Sequence, residues 1–123
     1  MKTPISDLLI LERNIFTDDR GLFYKLFCCN ELQKIGLKKP LAQVNYSHSS
    51  KKYTTRGFHF QYPPNTETKI TTCIRGEVFD VALDLRVDSP TFLQGFGVVL
   101  SGKNNLSVYI PDGVPEKLFM ELL

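Results

Sequence analysis

Residues 69–86 read KITTCIRGEVFDVALDLR, and apolar and polar side chains take turns along most of that stretch. A backbone that sends successive side chains to opposite sides is a β-strand, so the pattern predicts strands over 69–75 and 77–86, parted at Arg75-Gly76. In the second strand Phe79, Val81, Leu83 and Leu85 share one face, while Asp80, Asp84 and Arg86 share the other. The apolar face is expected to pack. The polar face either lines a wet cavity or meets solvent, and this strand alone favours neither.

The same alternation recurs at 43–47, 56–61, 92–100 and 106–110. Turn-forming residues stand between strands at Tyr62-Pro63-Pro64-Asn65, at Asp88-Ser89-Pro90 and at Gly102-Lys103-Asn104-Asn105. One short helix is expected near 30–36. Asn30 would cap it, Gln33 would close a capping box, Leu32 and Ile35 would form its apolar stripe, and Gly36 would provide a left-handed exit. Many short strands with almost no helix predict an all-β chain, an antiparallel sandwich or a jelly-roll barrel, with the barrel preferred. No repeat, linker or low-complexity stretch interrupts residues 1–123, which read as a single domain.

A chain of 123 residues can bury roughly two-thirds of the surface it exposes when unfolded, enough for one core. Its net charge of +2 is too slight to indicate nucleic acid, although a local basic pocket for a diphosphate stays open. The best candidate for an apolar span, Leu8 to Leu11, is flanked by Asp7 and Glu12 and is far too short to cross a bilayer. Cys28, Cys29 and Cys73 lack the CxxC spacing of zinc or dithiol chemistry and are expected to be small buried hydrophobes. With no secretory signal, a reducing cytoplasm fits.

Several polar residues stand out as candidates for chemistry. Gln43, Asn45 and Ser47 share a face of the expected strand at 43–47, where hydrogen-bonding side chains replace the charges usual on a surface. In RGFHFQ at 56–61, His59 and Gln61 share a face with Gly57, opposite Phe58 and Phe60. A histidine titrating near ~6.5 can act as a general base at neutral pH. Arg56 and Lys69 are cations near it in sequence, suited to a phosphate or to a developing enolate. Each also has an ordinary reading, a structural histidine and solvated cations. A metal is not expected, because His48 and His59 are the only histidines and stand eleven apart, without the His-x-His pair, carboxylate and later histidine of metal-binding cupins.

Taken in order, DDRGLFYKLF at 18–27, QVNYSHSS at 43–50, RGFHFQ at 56–61, the stretch at 69–86, SPTF at 89–92 and IPDG at 110–113 resemble the dTDP-4-dehydrorhamnose 3,5-epimerase family across nearly the whole chain. The resemblance implies a cupin-like jelly-roll barrel that uses no cofactor, binds a dTDP-sugar nucleotide, forms a homodimer and serves the making of dTDP-rhamnose for surface polysaccharide. It implies that His59 is the catalytic base and that Arg20, Gln43, Asn45, Arg56 and Lys69 contact the nucleotide sugar. The reaction it implies removes protons from carbons 3 and 5 of dTDP-4-keto-6-deoxy-glucose, both acidified by the 4-keto group, and returns them on the opposite face. Arg56 and His59 are three apart, so a regular strand would send them to opposite faces; for both to meet the substrate, a bulge or sharp twist is expected near Gly57.

This chain departs from the family pattern at two charged positions. Lys25 stands where the family carries a nucleotide-binding glutamate, and Glu116 replaces the histidine of the Ala-His-Gly-Phe that normally follows IPDG. The family's tyrosine acid and the aspartate that orients its base belong to later strands, and none of the five tyrosines here matches the acid. The barrel is therefore expected to be incomplete at its C-terminal end, with an open edge that favours association. Two readings follow: a 3,5-epimerase, an isomerase; or a non-catalytic sugar-nucleotide-binding or scaffold remnant of that family.

Overall fold

A computed structural model describes residues 1–59 and 67–121. The elements in chain order are β1 (Leu9–Glu12), β2 (Phe16–Asp18), β3 (Gly21–Phe23), α1 (Cys29–Gln33), β4 (Thr55–His59), β5 (Lys69–Thr72), β6 (Glu77–Leu83), β7 (Gly95–Ser101), β8 (Leu106–Ile110) and β9 (Glu116–Glu121). All pairings among them are antiparallel. One sheet has the order β1-β8-β5, a second β4-β9-β6-β7, and β2-β3 is a separate hairpin. No helix among the described residues is long and apolar enough to cross a membrane.

The two larger sheets enclose one core. Ile10, Val108 and Ile110 come from the first sheet, Val78, Ala82 and Leu100 from the second, and Ile5, Leu8 and Val114 close the gaps. In each sheet, residues paired across strands share a face, so these buried residues identify the inner faces. On the outer face of β6 the ring of Phe79 lies over Gly97, where a Cβ would come within 2.5 Å of it.

Five expected strands are present as β4, β5, β6, β7 and β8: β8 has the expected bounds, β5 and β6 end three residues early, and β7 is displaced to 95–101. The turn at 62–65 and the last two residues of the expected strand at 56–61 lie outside the described residues. Residues 43–47 are a correction: they form no strand, and Gln43, Asn45 and Ser47 are exposed. Alternation offers two faces, but a strand also needs a ladder partner, and no described strand lies beside this segment. Conversely, residues 116–121, with no strand expected there, form β9 and complete ladders with both β4 and β6.

The faces of β6 are also reversed from the simplest expectation. Val78, Asp80 and Ala82 are buried, whereas Phe79 is 42% exposed. Patterning separates two faces without saying which one meets the opposite sheet. The helix starts two residues early, with Cys28 rather than Asn30 at its N-cap and no side-chain cap, so Asn30 lies within its first turn. Its exit is as expected: Gly36 adopts φ 113°, with Gly36 N–H donating to Gln33 and Leu37 N–H to Leu32 in a Schellman arrangement. The cysteines are another correction, because Cys29 is exposed and Cys28 and Cys73 only partly covered.

Candidate active site

The decisive local feature is in β4. Arg56 pairs with Leu118 of β9 and His59 pairs with Glu116, so three steps along β4 match two along β9. One extra residue has been inserted, at a point where Gly57 takes φ 107°. This is the bulge expected near Gly57 from the family resemblance, which needs Arg56 and His59 on one face, at the residue type that tolerates it. Positions 116 and 118 lie on one face of β9, so the bulge returns position 59 to the face of position 56.

That face is the inner one. Leu118 pairs across to Asp80 and Glu116 to Ala82, and Asp80 and Ala82 are among the buried residues of β6. Across the second sheet there are thus two rows: Arg56, Leu118 and Asp80, then His59, Glu116 and Ala82. The outer members of a row are two strands apart, about 10 Å. The side chain of His59 lies outside the described part of the structure. On the facing sheet, Lys69 pairs with Ile110 and Thr71 with Val108, so Lys69 is on the inner face there and is half-buried.

The arrangement therefore brings the positions of Arg56, His59, Asp80, Glu116 and Lys69 to inner faces. Asp80 is 2% exposed. Arg56 stays exposed and donates from Nε and Nη2 to Ser49 Oγ, each at 3.3 Å. Ser49 is buried, and sequence reasoning missed it because a lone serine in a polar run carries no pattern.

The other candidates are elsewhere. Gln43 and Asn45 stand exposed on the segment without strand. Lys25 Nζ pairs with Glu31 at 3.3 Å in solvent. Arg20 sits at the tip of the β2–β3 hairpin, its side chain 90% exposed and paired with Asp18 at 2.6 Å. The hairpin's own residues, from Phe16 to Phe23, line a groove open to solvent. The Arg20 guanidinium beside it holds the Asp18 carboxyl below its ordinary range. Tyr109 belongs to the opposite face of β8 from Val108, paired with Ile70, and burial pushes its phenol up. It is therefore not on the face that holds Lys69.

The polar face of β6 splits into two roles. Asp80 belongs to the inner-face constellation, but Asp84, 0% exposed, is fully engaged elsewhere. Its Oδ1 accepts from Arg86 N at 3.0 Å and Nε at 2.9 Å, and its Oδ2 from Arg86 Nη2, Ser89 Oγ and Thr91 Oγ1 at 2.9, 2.6 and 2.7 Å. Burial pushes this carboxyl up, but the hydrogen bonds from Arg86, Ser89 and Thr91 outweigh it and hold it well below the usual carboxylate range. Arg86 Nη2 also donates to Ser6 O at 2.6 Å, and Ser6 N donates to Thr91 Oγ1 at 3.1 Å, which ties down the N-terminal segment. Asp84 and Arg86 are thus structural rather than lining a cavity.

The family model described as dTDP-4-dehydrorhamnose 3,5-epimerase matches residues 2–119. The dTDP-4-dehydrorhamnose 3,5-epimerase of Salmonella typhimurium is 46% identical over 92% of this chain and 62% of its own length. The crystal structure of the Bacillus anthracis dTDP-4-dehydrorhamnose 3,5-epimerase, with TDP and pyrophosphate bound, superposes with a TM-score of 0.93 at 35% identity, covering 99% of this chain and 70% of that one. A dTDP-6-deoxy-D-glucose-3,5-epimerase from Legionella pneumophila, in complex with dTDP-4-keto-L-rhamnose, gives a TM-score of 0.93 at 37% identity over 99% of this chain and 64% of that one. The fold shared with these structures is the cupin jelly roll. The chain spans somewhat less than two-thirds of the length of the curated relatives it matches.

Proposed function

We propose a function from this premise: the chain belongs to the dTDP-4-dehydrorhamnose 3,5-epimerase family. Its reaction would be proton transfer at carbons 3 and 5 of dTDP-4-keto-6-deoxy-glucose, as a step towards dTDP-rhamnose. The observation that carries this reading is the one-residue register shift in β4, which brings positions 56 and 59 to the inner face of the sheet. His59 would abstract the proton made acidic by the neighbouring keto group. Lys69, from the facing sheet, would stabilise the enolate oxygen as charge develops. Arg56 would hold the nucleotide's phosphates, with Arg20, Gln43 and Asn45 contacting the nucleotide sugar from the exposed segments before β4 and Lys25 and Glu116 altering the family's contacts.

A homodimer in the cytoplasm is part of the same proposal. The apolar side chains Phe16, Leu22 and Phe23 on the β2–β3 hairpin are each more than 60% exposed, a surface that association would cover. A non-catalytic sugar-nucleotide binder is the second reading, and the placement of Tyr109 on the face of β8 away from Lys69 favours it, since an epimerisation also needs an acid across the sugar from the base.

Heavy water separates the two readings. The chain incubated with dTDP-4-keto-6-deoxy-glucose in D2O should slowly place deuterium at carbon 3 or 5, with little inverted sugar. In His59→Ala that exchange should fall at least ~100-fold, the usual contribution of a general base. Exchange that is untouched by His59→Ala sinks the catalytic assignment, and tight binding without any exchange favours the second reading.

A further inference from the structure

The carboxylate of Asp112 joins two parts of the chain that carry expected substrate contacts. Its Oδ1 accepts from Thr68 Oγ1, and its Oδ2 accepts from Lys39 Nζ at 2.7 Å, an ion pair between residues 73 apart in sequence. Thr68 immediately precedes Lys69, the inner-face cation at the start of β5. Lys39 leads into the segment without strand, and Gln43 follows four residues later, no more than about 14 Å along the chain. We propose that Asp112 is a positioning residue for substrate binding: it holds the segment of Gln43 and Asn45 in place relative to Lys69. The proposal rests on the reading that Gln43, Asn45 and Lys69 contact the nucleotide sugar.

The turn that carries Asp112 is well anchored. Ile110 is 0% exposed, Pro111 and Val114 are buried, and Val114 N–H donates to Pro111 O at 3.4 Å. Gly113 lies against Arg86, whose guanidinium is bound to the buried Asp84. The carboxylate thus reaches from a fixed base to a segment that has no strand to order it. Pro40, directly after Lys39, fixes its own φ and favours an extended Lys39, so restraint at Lys39 passes along the backbone. At the far end Ser49, four residues after Asn45, accepts from Arg56 of β4. Between these ties Leu41, Val44 and Tyr46 are exposed, so their packing does not order the segment. The Lys39 and Asp112 side chains are 57% and 36% exposed, and such a pair adds little to folding. Its effect falls on binding, where any freedom left in the segment must be lost.

Calorimetry with dTDP-glucose, which lacks the 4-keto group and does not react, tests this alongside melting temperature and 15N relaxation of the 123-residue chain. In Asp112→Asn the affinity should fall about fivefold, the size of one partly exposed ion pair, with the melting temperature unmoved. Without ligand, order parameters at residues 43–47 should drop towards the ~0.6 of flexible backbone. Lys39→Glu should weaken binding likewise, and Lys39→Glu combined with Asp112→Lys should regain most of the affinity, which a merely structural role would not give. A charge swap that binds no better than Lys39→Glu alone overturns the proposal. So does wild-type affinity in Asp112→Asn when Gln43→Ala or Asn45→Ala weakens binding. If those two variants also bind like the wild type, the contact reading fails, and unchanged order parameters in Asp112→Asn then overturn the tie itself. Should Asp112→Asn not fold, Lys39→Met carries the same test from the more exposed side chain.

Discussion

Asp18-Asp19-Arg20 and Asp84-Leu85-Arg86 are one local device in two settings. In each, the arginine donates its backbone N–H and its guanidinium to the carboxylate two residues earlier. The side chains of Arg20 and Asp18 are 90% and 47% exposed, those of Arg86 and Asp84 23% and 0%. In the buried copy, desolvation of the carboxylate is offset by Ser89 and Thr91 as well as Arg86, and the guanidinium goes on to bind the N-terminal segment. Breaking it leaves groups that nothing else can satisfy. In the exposed copy, water replaces either partner at once, so Arg20 is free to exchange Asp18 for another anion. The same three-residue pattern is therefore structural where it is buried and available for a ligand where it is not.

The largest test of that contrast is Asp84→Asn. It should destabilise the fold by about 3–5 kcal/mol in urea unfolding, because it removes one member of a buried charged network. Asp18→Asn should leave the unfolding midpoint unmoved. Equal effects in the two variants would break the comparison. Acid adds a second arm. A carboxyl depressed in the folded state contributes fully above its unfolded value, about 3.9, and the contribution is lost as pH falls through the folded value. Stability should thus decline steeply below about pH 4 in the wild type and much less steeply in Asp84→Asn.

A smaller effect is expected at Gly113. It has φ 83°, and a Cβ there would lie 2.7 Å from Arg86 Cγ, so IPDG backs directly onto the buried pair. Gly113→Ala should cost about 1–3 kcal/mol through backbone strain and a displaced Arg86. Thermal unfolding would measure it, and a neutral result would show that Arg86 can shift without loss. The smallest effect on stability belongs to Arg20→Ala, whose melting temperature should match the wild type. Its affinity for dTDP should nevertheless fall roughly tenfold or more by calorimetry, as for the loss of a hydrogen bond to a charged group. A lowered melting temperature with unchanged affinity would reverse the roles assigned to the two copies.

The contrast also shows why some of the site was legible and some was not. The bulge at Gly57 was legible because the family resemblance asks Arg56 and His59 to share a face, and two residues three apart can do so only if the register slips. The role of Asp84 did not follow from spacing. Its partners Ser89 and Thr91 lie past a turn, and Asp80, four residues before it on the same polar face, faces a different environment. Gln43 and Asn45 alternate as well as any strand in the chain, yet among the described residues no strand pairs with them.

By itself the sequence determined what is local: the alternation that makes β4 to β8, the left-handed exit at Gly36, and the ordered motifs that mark the family. Only the tertiary structure decided which face of β6 meets the opposite sheet, that residues 116–121 are inserted between β4 and β6, and therefore that positions 116 and 59 are register partners. Those outcomes depend on hydrogen-bond partners and facing surfaces far away in the chain, and no pattern within a single segment encodes its partner.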